Sequence, residues 1–159
     1  RLIRRQRQMC IRDSYELAFS IKNDLKRRSE EENVAIHIRG IHTKIRGVTQ
    51  ILYEMFFNVC ENAIKYNHPG GEVVFTISKM GDYPTVIVED TGIGIWQEDL
   101  PRVFEKGFTG YNGRTDKKST GIGLYLCKSI VDKLNHRIYI SSEVSKGTKI
   151  FLNLNRDDF

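Results

Sequence analysis

The chain has 159 residues, 40% of them apolar and 28% charged, which suits one folded domain able to close a core without disulfide or metal staples. No apolar run approaches the ~20 residues that cross a bilayer. The three cysteines, Cys10, Cys60 and Cys127, are too scattered for a disulfide framework or a zinc pattern, so a reducing, cytoplasmic setting is expected for this piece. The net charge of +5 is concentrated at one end: residues 1–13 hold five Arg and one Asp, a net +4. The rest is nearly neutral and offers no basic face for nucleic acid.

Residues 1–13 lack amphipathic periodicity and are set aside as an artefact or a disordered basic tail, the alternative being the frayed end of a linker helix. The remaining span, 14–159, is expected to be the domain. From Tyr15 to about Glu32, Leu17, Ile21 and Leu25 recur at helical spacing and lead into the charged run from Lys26 to Glu32. Val34 to Ile38 alternates as a strand, and Lys44-Ile45-Arg46 is a short extended piece before Gly47. A long helix follows from about Val48 to Tyr66, with Leu52, Met55, Phe56, Val59 and Ala63 on one side, and stops at His68-Pro69-Gly70-Gly71.

Val73 to Ile77 and Thr85 to Val88 form an expected hairpin with its turn at Gly81 to Pro84. Between Asp90 and Gly123 lie seven of the thirteen glycines, a long loop broken by a short helical stretch near Glu98 to Phe104. Gly121 to Leu134 has helical periodicity, and Arg137 to Ser142 and Thr148 to Leu154 complete the strands. This order predicts an α+β fold, a two-layer sandwich of a mixed sheet covered on one face by about three helices. It lacks the strict strand-helix alternation of a doubly wound sheet.

Four elements carry candidate chemistry. On the long helix Asn58, Asn62 and Lys65 fall at i, i+4 and i+7, within about 60° of one another. An amide oxygen there can complete the shell of Mg²⁺, whose other ligands are waters and phosphate oxygens, and Lys65 can add a point charge. Asp90-Thr91-Gly92-Ile93-Gly94-Ile95 follows an apolar strand, which places a carboxylate beside glycines that admit a flat ring. Gly121-Ile122-Gly123-Leu124, after Ser119-Thr120, opens a helix whose unpaired N–H groups suit phosphate. Arg102 to Lys118 is a glycine-interleaved basic stretch that reads as a mobile lid. Taken singly, each has a bland reading as a surface helix, an Asp-initiated turn or a solvated loop.

In this order and spacing the four resemble the GHKL superfamily of ATP-binding domains, and within it the sensor histidine kinases. Over residues 15–155 the resemblance includes an N-box at Asn58-Val-Cys-Glu-Asn62-Ala63-Ile-Lys65-Tyr66 and glycine boxes at Asp90-Thr-Gly92-Ile-Gly94, Gly121-Ile-Gly123-Leu124 and Gly147-Thr148. It also includes an F-box at Phe104-Glu-Lys106-Gly107-Phe108. It implies the Bergerat fold with ATP beneath the lid, Asn62 on Mg²⁺ with Asn58 supporting it, Lys65 on phosphate, Tyr66 near adenine and Asp90 on the adenine amino group. Gly92, Gly94, Ile95, Lys106, Thr120, Gly121, Gly123, Leu124 and Thr148 would complete the nucleotide contacts. The lid spelling from Phe104 to Arg114 is also similar to kinases that sense peptide antibiotics.

Gyrase-type and MutL-type relatives carry a glutamate one turn before the metal-binding Asn; here that position is Asn58, and an amide is no general base at neutral pH. Transfer to an already nucleophilic imidazole needs mainly positioning and charge stabilisation. None of His37, His42, His68 and His136 has the helical, acid-flanked setting of the family's phospho-acceptor. The resemblance therefore implies an acceptor histidine on a separate dimerisation domain, a homodimeric and membrane-bound full-length protein, a monomeric isolated domain, and a response regulator as the final phosphate acceptor. A serine kinase of the anti-sigma-factor type and a nucleotide sensor without catalysis remain open. A Rossmann site does not fit, and there is no P-loop.

Overall fold

The structure, a computed structural model, describes residues 10–47, 49–108 and 123–154. The chain begins with β1 (Cys10–Asp13) and α1 (Ser14–Asp24), whose first turn is capped by the Asp13 side chain accepting the Tyr15 N–H at 2.8 Å. The single helix expected to about Glu32 is two: α1 stops at Leu25, and α2 (Lys26–Glu32) follows. Leu25 is buried with Leu17, Ala18 and Ile21, whereas α2 buries nothing. Leu25 closes the apolar face of α1, and none of the seven polar residues after it is buried. Asn33, in the left-handed conformation at φ 53°, ends α2.

Next come β2 (Ala35–Gly40), β3 (Lys44–Gly47), the long α3 (Thr49–Lys65), the hairpin of β4 (Glu72–Met80) and β5 (Tyr83–Asp90), α4 (Gly123–Lys133), β6 (Arg137–Glu143) and β7 (Gly147–Asn153). The hairpin strands run further than their apolar centres predicted and leave a two-residue turn at Gly81-Asp82, where Gly81 supplies φ 62°. Residues 10–13, set aside in the sequence reading, take part in the fold: β1 pairs antiparallel with β3, Cys10 opposite Gly47 and Asp13 opposite Lys44. A four-residue edge ribbon needs no amphipathic period, since backbone pairing alone defines it.

The main sheet has five strands in the order β2-β4-β5-β7-β6, mixed because β2 runs parallel to β4 while the other pairs are antiparallel. The fold is therefore α+β, with helices laid on a mixed sheet. Val73, Phe75 and Ile77 of β4, Val86 and Val88 of β5 and Ile150 and Leu152 of β7 alternate toward the core. Leu52, Met55, Phe56, Val59, Cys60, Ala63 and Ile64 of α3 meet them, with Cys127 and Val131 of α4 alongside. Phe56 and Phe75 lock helix to sheet edge-to-face, ring centroids 5.7 Å apart. Within the 91–122 connection, the short helical stretch expected near Glu98 to Phe104 is a 3-10 turn at Leu100–Arg102. Most of the expected lid, with Thr120 and Gly121, lies outside the described residues.

Candidate nucleotide site

Three chain segments meet where α3 ends, β5 ends and α4 begins. The apolar face of α3 is buried against the sheet, which leaves Asn58, Asn62, Lys65 and Tyr66 half-buried along its border. The Tyr66 N–H donates to the Asn62 carbonyl at 3.0 Å, so the helix extends its bonding to Tyr66. The Tyr66 carbonyl in turn accepts the N–H of Ile93 at 3.0 Å. Gly92 is packed so tightly there that a β-carbon would overlap that carbonyl. A glycine is required at this position for close approach, not for an unusual φ.

Asp90, the last residue of β5, is fixed by two main-chain donors. Its Oδ1 accepts the Gly92 N–H at 2.9 Å and the Thr148 N–H at 3.2 Å. Burial pushes its carboxyl up to about 6, against the opposing pull of those two N–H groups. Among the described residues both hydrogen bonds to this half-buried carboxylate fall on Oδ1, which leaves Oδ2 as a further acceptor. Gly147, at φ 129°, lies against the Asp90 main chain, so the β6–β7 turn closes over the end of β5.

The other glycine-led element reaches the same place from α4. Gly123 is its first residue, and a β-carbon there would stand 3.4 Å from Asn62 Nδ2. Asn62 is therefore a neighbour of Gly123 in space, and is tied to Gly92 and Asp90 through Tyr66. Leu124 is packed against the core. Lys106 Nζ stands 5.9 Å from the Tyr125 ring centroid, which brings the start of the expected lid to α4. Lys65 Nζ lies 5.5 Å from the ring of Tyr66. Gly94, at φ 74°, abuts the Glu143 carbonyl, and the Ile95 N–H donates to Ser142 Oγ at 2.8 Å.

Ser142 was not among the sequence candidates. Its Oγ also lies 2.9 Å from the Gly147 carbonyl and 2.8 Å from Thr148 Oγ1. The only available signal was its register: in an antiparallel hairpin closed by Gly147, the residue facing Thr148 is Ser142.

None of the four histidines stands on a helix. His37 is in β2, 3.7 Å from Glu72, His42 stacks on Tyr15 at 4.1 Å, His68 takes its N–H to Asn67 Oδ1, and His136 is buried after α4. Among the described residues no group of three or more His, Cys, Asp and Glu is placed to hold a metal. Of the site residues, the Asn62 amide oxygen is the group that could serve a cation of the Mg²⁺ type, which would bring phosphate and water ligands of its own.

The family model described as histidine kinase-, DNA gyrase B- and HSP90-like ATPase matches residues 47–158. The chain is 42% identical over 93 residues to the sensor histidine kinase YxdK of Bacillus subtilis, covering 58% of this chain and 29% of that protein. It is 31% identical over 112 residues to the sensor protein kinase GraS of Staphylococcus aureus, covering 70% of this chain and 31% of that one. The chain thus spans less than a third of these two relatives. Among solved structures, the mycobacterial sensor histidine kinase MprB superposes with a TM-score of 0.77 over 92% of this chain and 97% of that one, at 23% identity, a likeness of fold.

Proposed function

The chain belongs to the histidine kinase-, DNA gyrase B- and HSP90-like ATPase family, and from that membership we propose that it binds Mg²⁺-ATP and donates the γ-phosphoryl group to a histidine on a separate dimerisation domain. The observation that carries this reading is the closeness of Gly123, at the start of α4, to the Asn62 amide, which lies 3.4 Å from where a β-carbon on Gly123 would stand. It sets a helix N-terminus, which favours phosphate, beside an amide oxygen that favours the cation accompanying it.

Each residue has a task in this reading. Asp90 accepts from the adenine amino group, Tyr66 lies near the ring, and Gly92, Gly94 and Ile95 admit and border it. Thr148 backs the base. Asn62 holds Mg²⁺, supported by Asn58, and Lys65 and Lys106 add positive charge along the phosphates; Thr120, Gly121, Gly123 and Leu124 donate main-chain contacts. When bound, Mg²⁺ supplies charge neutralisation at the phosphate oxygens. Asn58 cannot take a proton from water at neutral pH, so this chain favours transfer over hydrolysis. The acceptor histidine lies on another domain, since His37, His42, His68 and His136 all lie off helices. The response regulator, the homodimer and a membrane-anchored sensor belong to the same reading, supported by relatives of which the match covers less than a third. Among the described residues no helix is long and apolar enough to cross a membrane.

The test is calorimetric titration with ATP, with and without Mg²⁺, followed by γ-labelled ATP with a supplied acceptor bundle carrying a helical histidine. Binding and acid-labile labelling of the bundle are expected. Binding with rapid phosphate release and no labelling would make this an ATPase; label on serine would favour the anti-sigma-factor type.

A further inference from the structure

We propose that Ser142 is a positioning residue that sets the purine selectivity of the site by fixing the direction of the Thr148 hydroxyl proton. The inference rests on the reading of Asp90 and Thr148 as the base-recognition end of an ATP site. Ser142 stands near the end of β6, directly opposite Thr148 of β7. Its hydroxyl meets three partners: the Ile95 N–H at 2.8 Å, the Gly147 carbonyl at 2.9 Å and Thr148 Oγ1 at 2.8 Å.

A hydroxyl has one proton and two lone pairs. The Gly147 carbonyl can only accept, so it takes the Ser142 proton. The Ile95 N–H can only donate, so it fills one lone pair. What remains for Thr148 is the second lone pair, which makes Thr148 the donor of that bond. The Thr148 proton is therefore committed to Ser142, and Thr148 Oγ1 offers only lone pairs to anything else.

Next to it, Asp90 Oδ1 is occupied by the N–H groups of Gly92 and Thr148, which leaves Oδ2 as a further acceptor. The two side chains together present acceptors and no donor. The 6-amino group of adenine brings two N–H donors and satisfies this surface. The 6-oxo group of guanine brings another acceptor and sets carbonyl oxygen against carboxylate in a desolvated place. Ser142 touches no part of the base; it acts through Thr148.

The experiment is calorimetry of Mg²⁺-ATP and Mg²⁺-GTP binding to the parent chain and to Ser142→Ala and Ser142→Thr, read as the ratio of the two Kd values. The parent is expected to prefer ATP. In Ser142→Ala the Thr148 hydroxyl is free to turn and donate to a 6-oxo group, and the GTP-to-ATP ratio should narrow by about tenfold. Ser142→Thr keeps a hydroxyl on a strand that favours β-branched residues and should hold the parental ratio. Equal weakening of both nucleotides with the ratio intact would mark Ser142 as merely structural and overturn the inference, as would a parent with no preference. A parent that binds neither nucleotide overturns the ATP-site reading itself. Should Ser142→Ala fail to fold, Ser142→Cys, whose thiol is a weak donor and weak acceptor, carries the same test: a narrowed ratio supports the assignment and an unchanged one overturns it.

Discussion

Tyr66 and Ile93 are joined main chain to main chain, carbonyl to N–H at 3.0 Å, with Gly92 wedged beneath the same carbonyl. This bond ties the C-terminal end of α3 to the loop after β5, and so joins the helix bearing Asn62 to the strand bearing Asp90.

The two glycine positions should respond oppositely to alanine. At Gly92 the added methyl overlaps the Tyr66 carbonyl, and Gly92→Ala should cost about 1–3 kcal/mol. At Gly123 it would stand 3.4 Å from the Asn62 amide, an ordinary contact, and helix propensity should offset it by up to about 1 kcal/mol. Denaturant midpoints should therefore rank Gly92→Ala below the parent and Gly123→Ala at or above it. The reverse ranking would contradict this packing.

Removing the Asp90 carboxylate should weaken ATP binding about ten- to a hundredfold, the usual worth of a hydrogen bond to a charged group. Calorimetry on Asp90→Ala measures it. Trp96, 43% exposed and six residues along the chain, provides a second readout as a fluorescence change on nucleotide addition. Unaltered affinity in the variant would reject Asp90 as the base-recognition residue.

The same carboxylate makes binding and stability depend on pH in opposite senses. Burial raises Asp90 from 3.8 to about 6, so the folded state binds the proton more tightly than the unfolded chain. Its stabilising contribution is fully present below pH 3.8 and is lost as pH rises through about 6. Asp90→Asn should thus be the more stable protein at neutral pH, by on the order of 1 kcal/mol after discounting for solvent screening of a half-buried group. ATP affinity runs the other way: it needs the ionised acceptor, and should fall about tenfold from pH 7 to 5. Asp90→Asn titrated in parallel removes the nucleotide's own protonation from the comparison.

Replacement of Asn62 separates metal from base recognition. Asn62→Ala should leave metal-free nucleotide binding within a few-fold, about 1 kcal/mol or less, and abolish Mg²⁺-dependent labelling of an acceptor bundle. Full labelling by this variant would place the metal elsewhere.

Cys60 and Cys127 face each other from α3 and α4, buried, and burial pushes both thiols up to about 12. Neither should react with a disulfide reagent at pH 8 until the chain unfolds. Mass spectrometry of labelled peptides, native against denatured, checks this, and native labelling of either would show that α4 separates from α3.

The long helix, the β4–β5 hairpin and the closing β6–β7 pair were legible because each repeats apolar residues at its own period, 3.6 or 2, over enough residues to be unambiguous. The candidate residues were legible for a different reason: Asn58, Asn62 and Lys65 break the apolar pattern of a helix, and Gly92, Gly94 and Gly123 break it between elements. The end of α1 was not, because Leu25 fits the helical spacing and only its packing shows that the chain turns there. Nor was β1, whose four residues are defined by the Lys44–Gly47 strand they pair with.

By itself, then, the sequence determined the element types, the apolar faces and the polar residues standing out from them, because those follow from local periodicity and residue chemistry. The tertiary structure alone decided which of these come together: that Gly123 meets Asn62, that Gly92 lies under Tyr66, and that Ser142 supports Thr148 beside Asp90. Such contacts join residues 26 to 61 positions apart or face each other across a hairpin, and strand register and helix packing, which act through space, set them.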